Sequence, residues 1–232
     1  MDREWENLRD IKTRDPDSVC EYDEVCNRAK TEERTVHFGR VFAISTLKGS
    51  ELPAGDPGRT YKGRVCFQGN QVKDQDSNVA VFQDMVSSTA LMEAGKFVDA
   101  ISLLPGFGGT QADAKQAYTQ CLLLGDETWV FLPREQWPDS WKRFRNPVVR
   151  LRLALYGHPL SGAFWGNHCT KQLVSVGWLP IPEWDGCFIH PVLRCVLSVY
   201  VDDFKMAGRH PDMEKAWADV RKVISTDEPA EF

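Results

Sequence analysis

The stretch Arg194–Gly208, RCVLSVYVDDFKMAG, decides how this chain folds. Leu193 to Val201 is apolar and rich in β-branched residues, which is the pattern of a buried strand. Phe204 to Gly208 is a second extended candidate, so Asp202 and Asp203 interrupt an apolar hairpin. Two adjacent carboxylates at the end of an apolar strand are costly unless water or a cation compensates their charge. Asp is also a common residue of polar turns, so the pair by itself does not choose between a turn and a site.

Working outward, the residues after Pro211 recur at helical spacing (Met213, Trp217, Val220, Ile224) and define a closing amphipathic helix over 212–224. Upstream, Ser161 suits the N-cap of a helix whose buried stripe is Trp165, Cys169, Leu173 and Val176, with Gly177 as its stop. A third helix is read from Ser87 or Ser88 as N-cap, carrying Leu91, Ala94, Val98 and Ile101 and ending at the glycines of PGFGG. Strands are expected at Val36–Leu47, at Tyr61–Gln68 and at Thr128–Leu132, the first two joined by the Gly/Pro-rich loop GSELPAGDPGR. Mixed helices and hairpins imply an α+β domain with an antiparallel sheet and helices packed on one face. Residues 1–35 are dense in charge with Trp5 and Leu8 as isolated apolar anchors, and read as a charged extension, either a solvated helix or an unpacked tail.

The totals bound the function classes. At 232 residues and 42% hydrophobic composition there is material for one large core or two small ones. No apolar run reaches the roughly eighteen residues of a membrane span, and MDREWENLRD lacks the features of a signal peptide, so an intracellular, non-secreted protein without membrane contact is expected. Seven cysteines, odd in number and set among apolar neighbours, argue against a disulfide scaffold. The net charge of -5 leaves no global footprint for nucleic acid. A local basic cluster does exist in Lys142, Arg143, Arg145, Arg150 and Arg152.

Four ordered motifs then carry a resemblance. YVDD (Tyr200–Asp203), DAKQAY (Asp113–Tyr118), LYGHPLSGAFW (Leu155–Trp165) and YKGRVCFQG (Tyr61–Gly69) together resemble the reverse transcriptases of copia-type retrotransposons. The resemblance covers roughly Tyr61 to Ile224. It implies a right-hand polymerase palm with partial fingers over 36–232, the thumb and RNase H domains falling outside the chain. The implied activity is RNA-directed DNA synthesis: a primer 3′-hydroxyl attacks the α-phosphate of a deoxynucleoside triphosphate, assisted by two Mg²⁺ ions, with Mn²⁺ as a substitute. By the same resemblance Asp113 and Asp202 bridge the ions and Asp203 assists. Ala114 offers a backbone carbonyl, Tyr118 lies under the incoming sugar, and Tyr200, Lys62 and Arg64 complete the nucleotide-binding set. Lys62 and Arg64, two apart on a strand, share a face. The implied partners are an RNA or DNA template with its primer, and the integrase and RNase H domains of a Pol polyprotein, in a virus-like particle in the cytoplasm or in the nucleus.

Leu160 departs from the pattern, since copia-type polymerases carry a glutamine there that packs on the nucleotide. The alternative function is therefore a catalytically inactive retroelement remnant that folds and binds nucleic acid. A zinc site from His168, Cys169, Cys187 and His190 is disfavoured by spacing, because neighbours on a helix point to different faces and Cys187 and His190 fall on opposite sides of a strand. His37, His158 and His210 read as structural or surface residues.

Overall fold

The computed structural model of the chain describes residues 2–82 and 89–232. The helices are α1 (Asp2–Asp10), α2 (Tyr22–Thr31), α3 (Met92–Ser102), α4 (Ser161–Ser175) and α5 (His210–Val223). The strands are β1 (Arg14–Glu21), β2 (Val36–Lys48), β3 (Thr60–Phe67), β4 (Gly108–Asp113), β5 (Glu127–Phe131) and β6 (Pro147–Leu151). They continue with β7 (Leu179–Pro180), β8 (Cys187–His190), β9 (Cys195–Tyr200), β10 (Asp203–Gly208) and β11 (Ala230–Glu231). The chain falls into two compact units, one from residues 2–82 with 122–161, the other from 89–121 with 162–232. No helix of the described residues is long and apolar enough to cross a membrane.

In the first unit the sheet runs β1-β6-β5-β2-β3. Its pairings are antiparallel except β2 with β5, which run parallel from Val36 opposite Glu127 to Arg40 opposite Phe131. Alternation along the strands sends successive side chains to opposite faces. Val36, Phe38, Trp129 and Val148 therefore meet Val25, Cys26 and Ala29 of α2, while Val41, Val65, Val130, Val149 and Leu151 pack with Trp5 and Leu8 of α1.

Residues 2–31 thus supply a helix to each face of this sheet and an edge strand, β1, to its end. The expectation of a solvated or unpacked extension misjudged them, because Trp5 and Leu8, three apart, lie on one side of α1 and are both buried. Replacing Trp5 by Ala is accordingly expected to cost about 3–5 kcal/mol in urea unfolding. A solvated helix would lose no more than roughly 0.5 kcal/mol.

The second unit carries a six-stranded sheet, β11-β4-β10-β9-β8-β7, in which every pairing is antiparallel. Helices cover both of its faces, not one as the sequence suggested. On one face Ala90 and Ala94 pack with Cys187, and Asp99 of α3 ion-pairs with Lys205 of β10. On the other, the Trp217 indole N–H of α5 donates to Thr110 Oγ1 at 2.8 Å, and the Trp165 indole of α4 donates to the Val201 carbonyl at 2.7 Å. Periodicity within a helix tells which stripe is apolar, but it does not tell which side of a sheet receives it.

Helix ends differ in detail from expectation. The capping position assigned to Ser87 or Ser88 lies outside the described residues; α3 begins after Leu91, whose side chain makes no cap. Ser161 is the first residue of α4, and its hydroxyl bonds the backbone of Leu155 instead, accepting from the amide at 3.0 Å and donating to the carbonyl at 2.7 Å. The stop at Gly177 stands, with φ of 94° and the Trp178 amide returning to Leu173 O at 3.1 Å. The cysteines behave as small hydrophobes: all are free thiols, and burial pushes Cys169 and Cys195 up to about 12.

Candidate active site

The YVDD segment closes the β9–β10 hairpin, with Tyr200 opposite Asp203 and Val201-Asp202 as its two-residue turn. Val201 has φ of 56°, positive at the first central position, where a turn of this kind ordinarily carries Gly. A β-branched residue there is strained, by about 1–3 kcal/mol. The hydrogen bond from Trp165 to the Val201 carbonyl holds the turn in place. This gives the tryptophan of the LYG box a structural task that spacing alone did not reveal.

Asp113 ends β4, and the β4–β10 register sets it directly opposite Asp203. The two side chains therefore rise from the same face of neighbouring strands, close enough for the protonated Asp203 carboxyl to donate to Asp113. The next residue ties the main chains together, the Ala114 amide donating to Asp202 O at 2.7 Å. From the other side the Asp227 amide donates to the Asp113 carbonyl at 2.8 Å, and Lys115 N–H donates to Ser225 O at 2.9 Å. The Gln120 amide adds a bracket, donating to Lys115 O at 2.8 Å and Ser225 O at 2.9 Å while accepting from Ser225 N–H at 2.8 Å. Residues 225–227 were not singled out in the sequence, since main-chain bonds leave no mark on residue type.

Electrostatics follow from this convergence. The Asp203 carboxyl is raised above its usual range, first by desolvation, then by the charges of Asp202 and Asp113 and by its hydrogen bond with Asp113. Burial, then Asp202 and Tyr200, raise the Tyr118 phenol, so Tyr118 shares the field of the acids. Tyr200 is exposed, Ala114 is buried, and Tyr118 is half-buried in a one-turn helix entered through Gln116 with φ of 49°.

A group raised in the folded state binds its proton more tightly there than when unfolded. Ionising Asp203 therefore costs stability as pH rises through its folded value. Asp203→Asn is expected to raise the neutral-pH Tm by roughly 1–2 °C, a small effect because the group is largely solvated. The gain should vanish when melts are run below the ordinary carboxylate value of 3.8.

Among the described residues no group of three or more His, Cys, Asp or Glu side chains is gathered closely enough to form an all-protein metal cage. What is present is a pair of hard carboxylates side by side, with the charge of Asp202 acting on Asp203. That donor set fits Mg²⁺, which binds through one or two carboxylates and takes its other ligands from water and substrate phosphate.

A cleft of about 770 Å³ opens beside Asp113 and Asp203, lined also by Tyr200, Gln111, Lys96 and Lys205. Lys205 stands two residues beyond Asp203 and so on its face, a cation that strand alternation alone would have placed beside the acids.

Lys62 and Arg64 lie on β3 of the first unit, with Arg64 over the Tyr156 ring at 5.7 Å. Both also act on Glu4 of α1. The zinc candidates have other neighbours: His168 stacks on Trp165 at 6.0 Å, and His190 meets Trp178 edge-on at 5.4 Å. His158 is buried and held down to about 4 by that burial, then by His37. Its Nδ1 accepts from Leu160 N–H at 3.2 Å, which gives a main-chain role to the residue that departs from the copia pattern.

Neither the models of known protein families nor the curated protein sequences give a match to this chain. Among solved structures it is similar to telomerases at low identity. Apo telomerase from Candida tropicalis, truncated from its C-terminal domain, has 13% identity and a TM-score of 0.37, over 63% of this chain and 36% of that one. Telomerase from Candida albicans, in complex with a TWJ fragment of telomeric RNA, has 6% identity and a TM-score of 0.45, over 98% of this chain and 45% of that one. The chain spans less than half the length of either. A likeness at these TM-scores decides nothing about the site.

Proposed function

We propose that this chain is the fingers-and-palm part of a copia-type reverse transcriptase, adding deoxynucleotides to a primer on an RNA or DNA template. One observation carries the reading: Asp113, distant in sequence from YVDD, stands opposite Asp203 on the adjacent strand, with Asp202 in the turn beside them. The Asp203 carboxyl is raised by desolvation and then by the charges of Asp202 and Asp113, and a carboxyl perturbed in this way beside a cleft is a candidate for handling a cation or a proton. Two Mg²⁺ ions, when bound, would stabilise the attacking and leaving oxygens of the transfer. Asp113, Asp202 and Asp203 would hold them, with Mn²⁺ able to replace Mg²⁺.

The chain's own residues then divide the remaining work. Tyr118 offers an aromatic face for the sugar of the incoming nucleotide, and Tyr200 lines the adjoining cleft. Lys62 and Arg64 are assigned to the triphosphate, with Arg64 oriented on the Tyr156 ring. The Ala114 carbonyl is offered as a further oxygen. Integrase and RNase H activity would come from other parts of a Pol polyprotein, in a cytoplasmic particle or in the nucleus.

Primer extension by the full chain with Mg²⁺, run beside Asp113→Asn and Asp202→Asn, tests the reading. Incorporation abolished by either substitution supports it. The second reading, an inactive remnant, is favoured by Leu160 in place of the glutamine. It predicts no incorporation from the unsubstituted chain with intact folding by circular dichroism.

A further inference from the structure

The cleft beside the acids holds a cation that does not engage them. Lys205 follows Asp203 by two residues on β10 and stands opposite Gln111 of β4, which precedes Asp113 by two. Lys205, Asp203 and Asp113 therefore share one face of the sheet, with Lys205 about 7 Å along the strand from Asp203. A flexible four-carbon stem spans that distance, so both carboxylates lie within the sweep of the ammonium. Yet among the described residues none of Asp113, Asp202 and Asp203 has a cation at ion-pair distance.

Two partners hold the ammonium elsewhere. Asp99 of α3 accepts from Lys205 Nζ in an ion pair, the two side chains being 45% and 28% exposed. The Phe232 ring lies against the same nitrogen, with its centre 4.2 Å from Nζ. That ring fills the space where a Cβ on Gly109 would stand, and Gly109 pairs with Ala207. Gly109 is four residues from Asp113, about 13 Å at strand rise, so the ammonium is drawn toward the end of the strands remote from the acids. A partly buried ammonium needs a counter-charge, because leaving water uncompensated is costly. Asp99 supplies it, and the face of the ring adds a second attraction.

Without Asp99, the unpaired carboxylates within reach on that face are the acids themselves. An ammonium drawn to them occupies the hard oxygens that a divalent cation takes as ligands, and its charge repels the cation. Nothing in the spacing of the sequence marks Asp99 for this task, since only the packing of α3 on β10 brings it to Lys205.

We propose that Asp99 is a positioning residue for the metal site: with Phe232 it latches the Lys205 ammonium away from Asp113 and Asp203 and leaves their carboxylates open to a divalent cation. The metal half of this inference rests on the assignment of the acids as metal ligands; the placement of the ammonium does not.

Two measurements on the full chain at neutral pH test it. In chelator, the ε-methylene protons of Lys205, identified by their absence in Lys205→Gln, are expected upfield of those of other lysines, shielded by the Phe232 ring. Asp99→Asn should move them to the position of an exposed lysine, whereas Asp99→Glu, which keeps the carboxylate, should leave them upfield. Asp99→Ala, a better helix former, serves if the Asn variant is unstable. Mn²⁺ binding, followed by electron paramagnetic resonance, should weaken about tenfold in Asp99→Asn. Asp99→Asn/Lys205→Gln should bind as tightly as the unsubstituted chain, and so should Lys205→Gln alone. That rescue separates the latch from a merely structural role of α3, which a second substitution would not repair. It also identifies the competitor as Lys205 and not Lys96, which lines the same cleft. Unmoved resonances in a folded Asp99→Asn overturn the proposal, and so does a double variant that stays weak. If Asp113→Asn leaves Mn²⁺ binding intact, the assignment of the acids fails and the metal half with it, while the resonances still decide whether the latch exists.

Discussion

Asp113→Asn is expected to lower Mg²⁺-dependent primer extension on the order of 10³-fold or more, the loss seen when a group acting as part of a catalytic unit is removed. Asn keeps the size of the side chain and its capacity to hydrogen-bond Asp203, while removing the charge and the hard anionic oxygen that Mg²⁺ requires. The ties that position the residue are main-chain: Asp227 N–H to Asp113 O, and Ala114 N–H to Asp202 O, and both survive the substitution. A folded, inactive variant would therefore trace the loss to the carboxylate and not to collapse of the hairpin. Asp202→Asn should behave alike, since its charge acts on both Asp203 and Tyr118. Single-turnover extension, measured in Mg²⁺ and again in Mn²⁺, is the deciding experiment. Rates within twofold of the unsubstituted chain would remove Asp113 from the chemistry altogether.

A second large effect concerns the fold. Gly157→Val should destabilise the first unit by more than about 3 kcal/mol, because two separate obstacles coincide at this glycine. Its φ is 86°, a region that β-branched residues avoid, and a Cβ built there would lie 2.1 Å from the Phe67 carbonyl oxygen. That oxygen is main chain of β3 and has little room to yield. The approach is fixed by the Phe67 amide, which donates to the Tyr156 carbonyl at 2.7 Å. Urea unfolding followed by tryptophan fluorescence would report the change as a lower midpoint at unaltered slope. A midpoint within error of the original would mean that the loop relaxes more easily than its packing implies. The glycine of the LYG box thus has a backbone reason of its own, independent of any nucleotide.

These two residues mark what could be read from the chain and what could not. Alternation and helical spacing located β9, β10, α4 and α5, because a period of two or of 3.6 is written in residue type. The same logic set Lys62 with Arg64 on one strand face, whereas Asp113 and YVDD were flagged only by the resemblance of their motifs. It misread the charged N-terminus, since Trp5 and Leu8 are too few for a pattern yet sufficient to cover a sheet. It also could not assign the helices to faces of the second sheet.

The sequence by itself determined the helices and strands whose period is long enough to read, their apolar stripes and, through its four motifs, the acidic residues open to chemistry. Only the tertiary structure decided that Asp203, not Asp202, stands opposite Asp113, and that residues 225–227 brace Asp113. The physical reason is the same in each case: strand register and main-chain hydrogen bonds bring together residues far apart along the chain, and neither depends on a local pattern that residue type records.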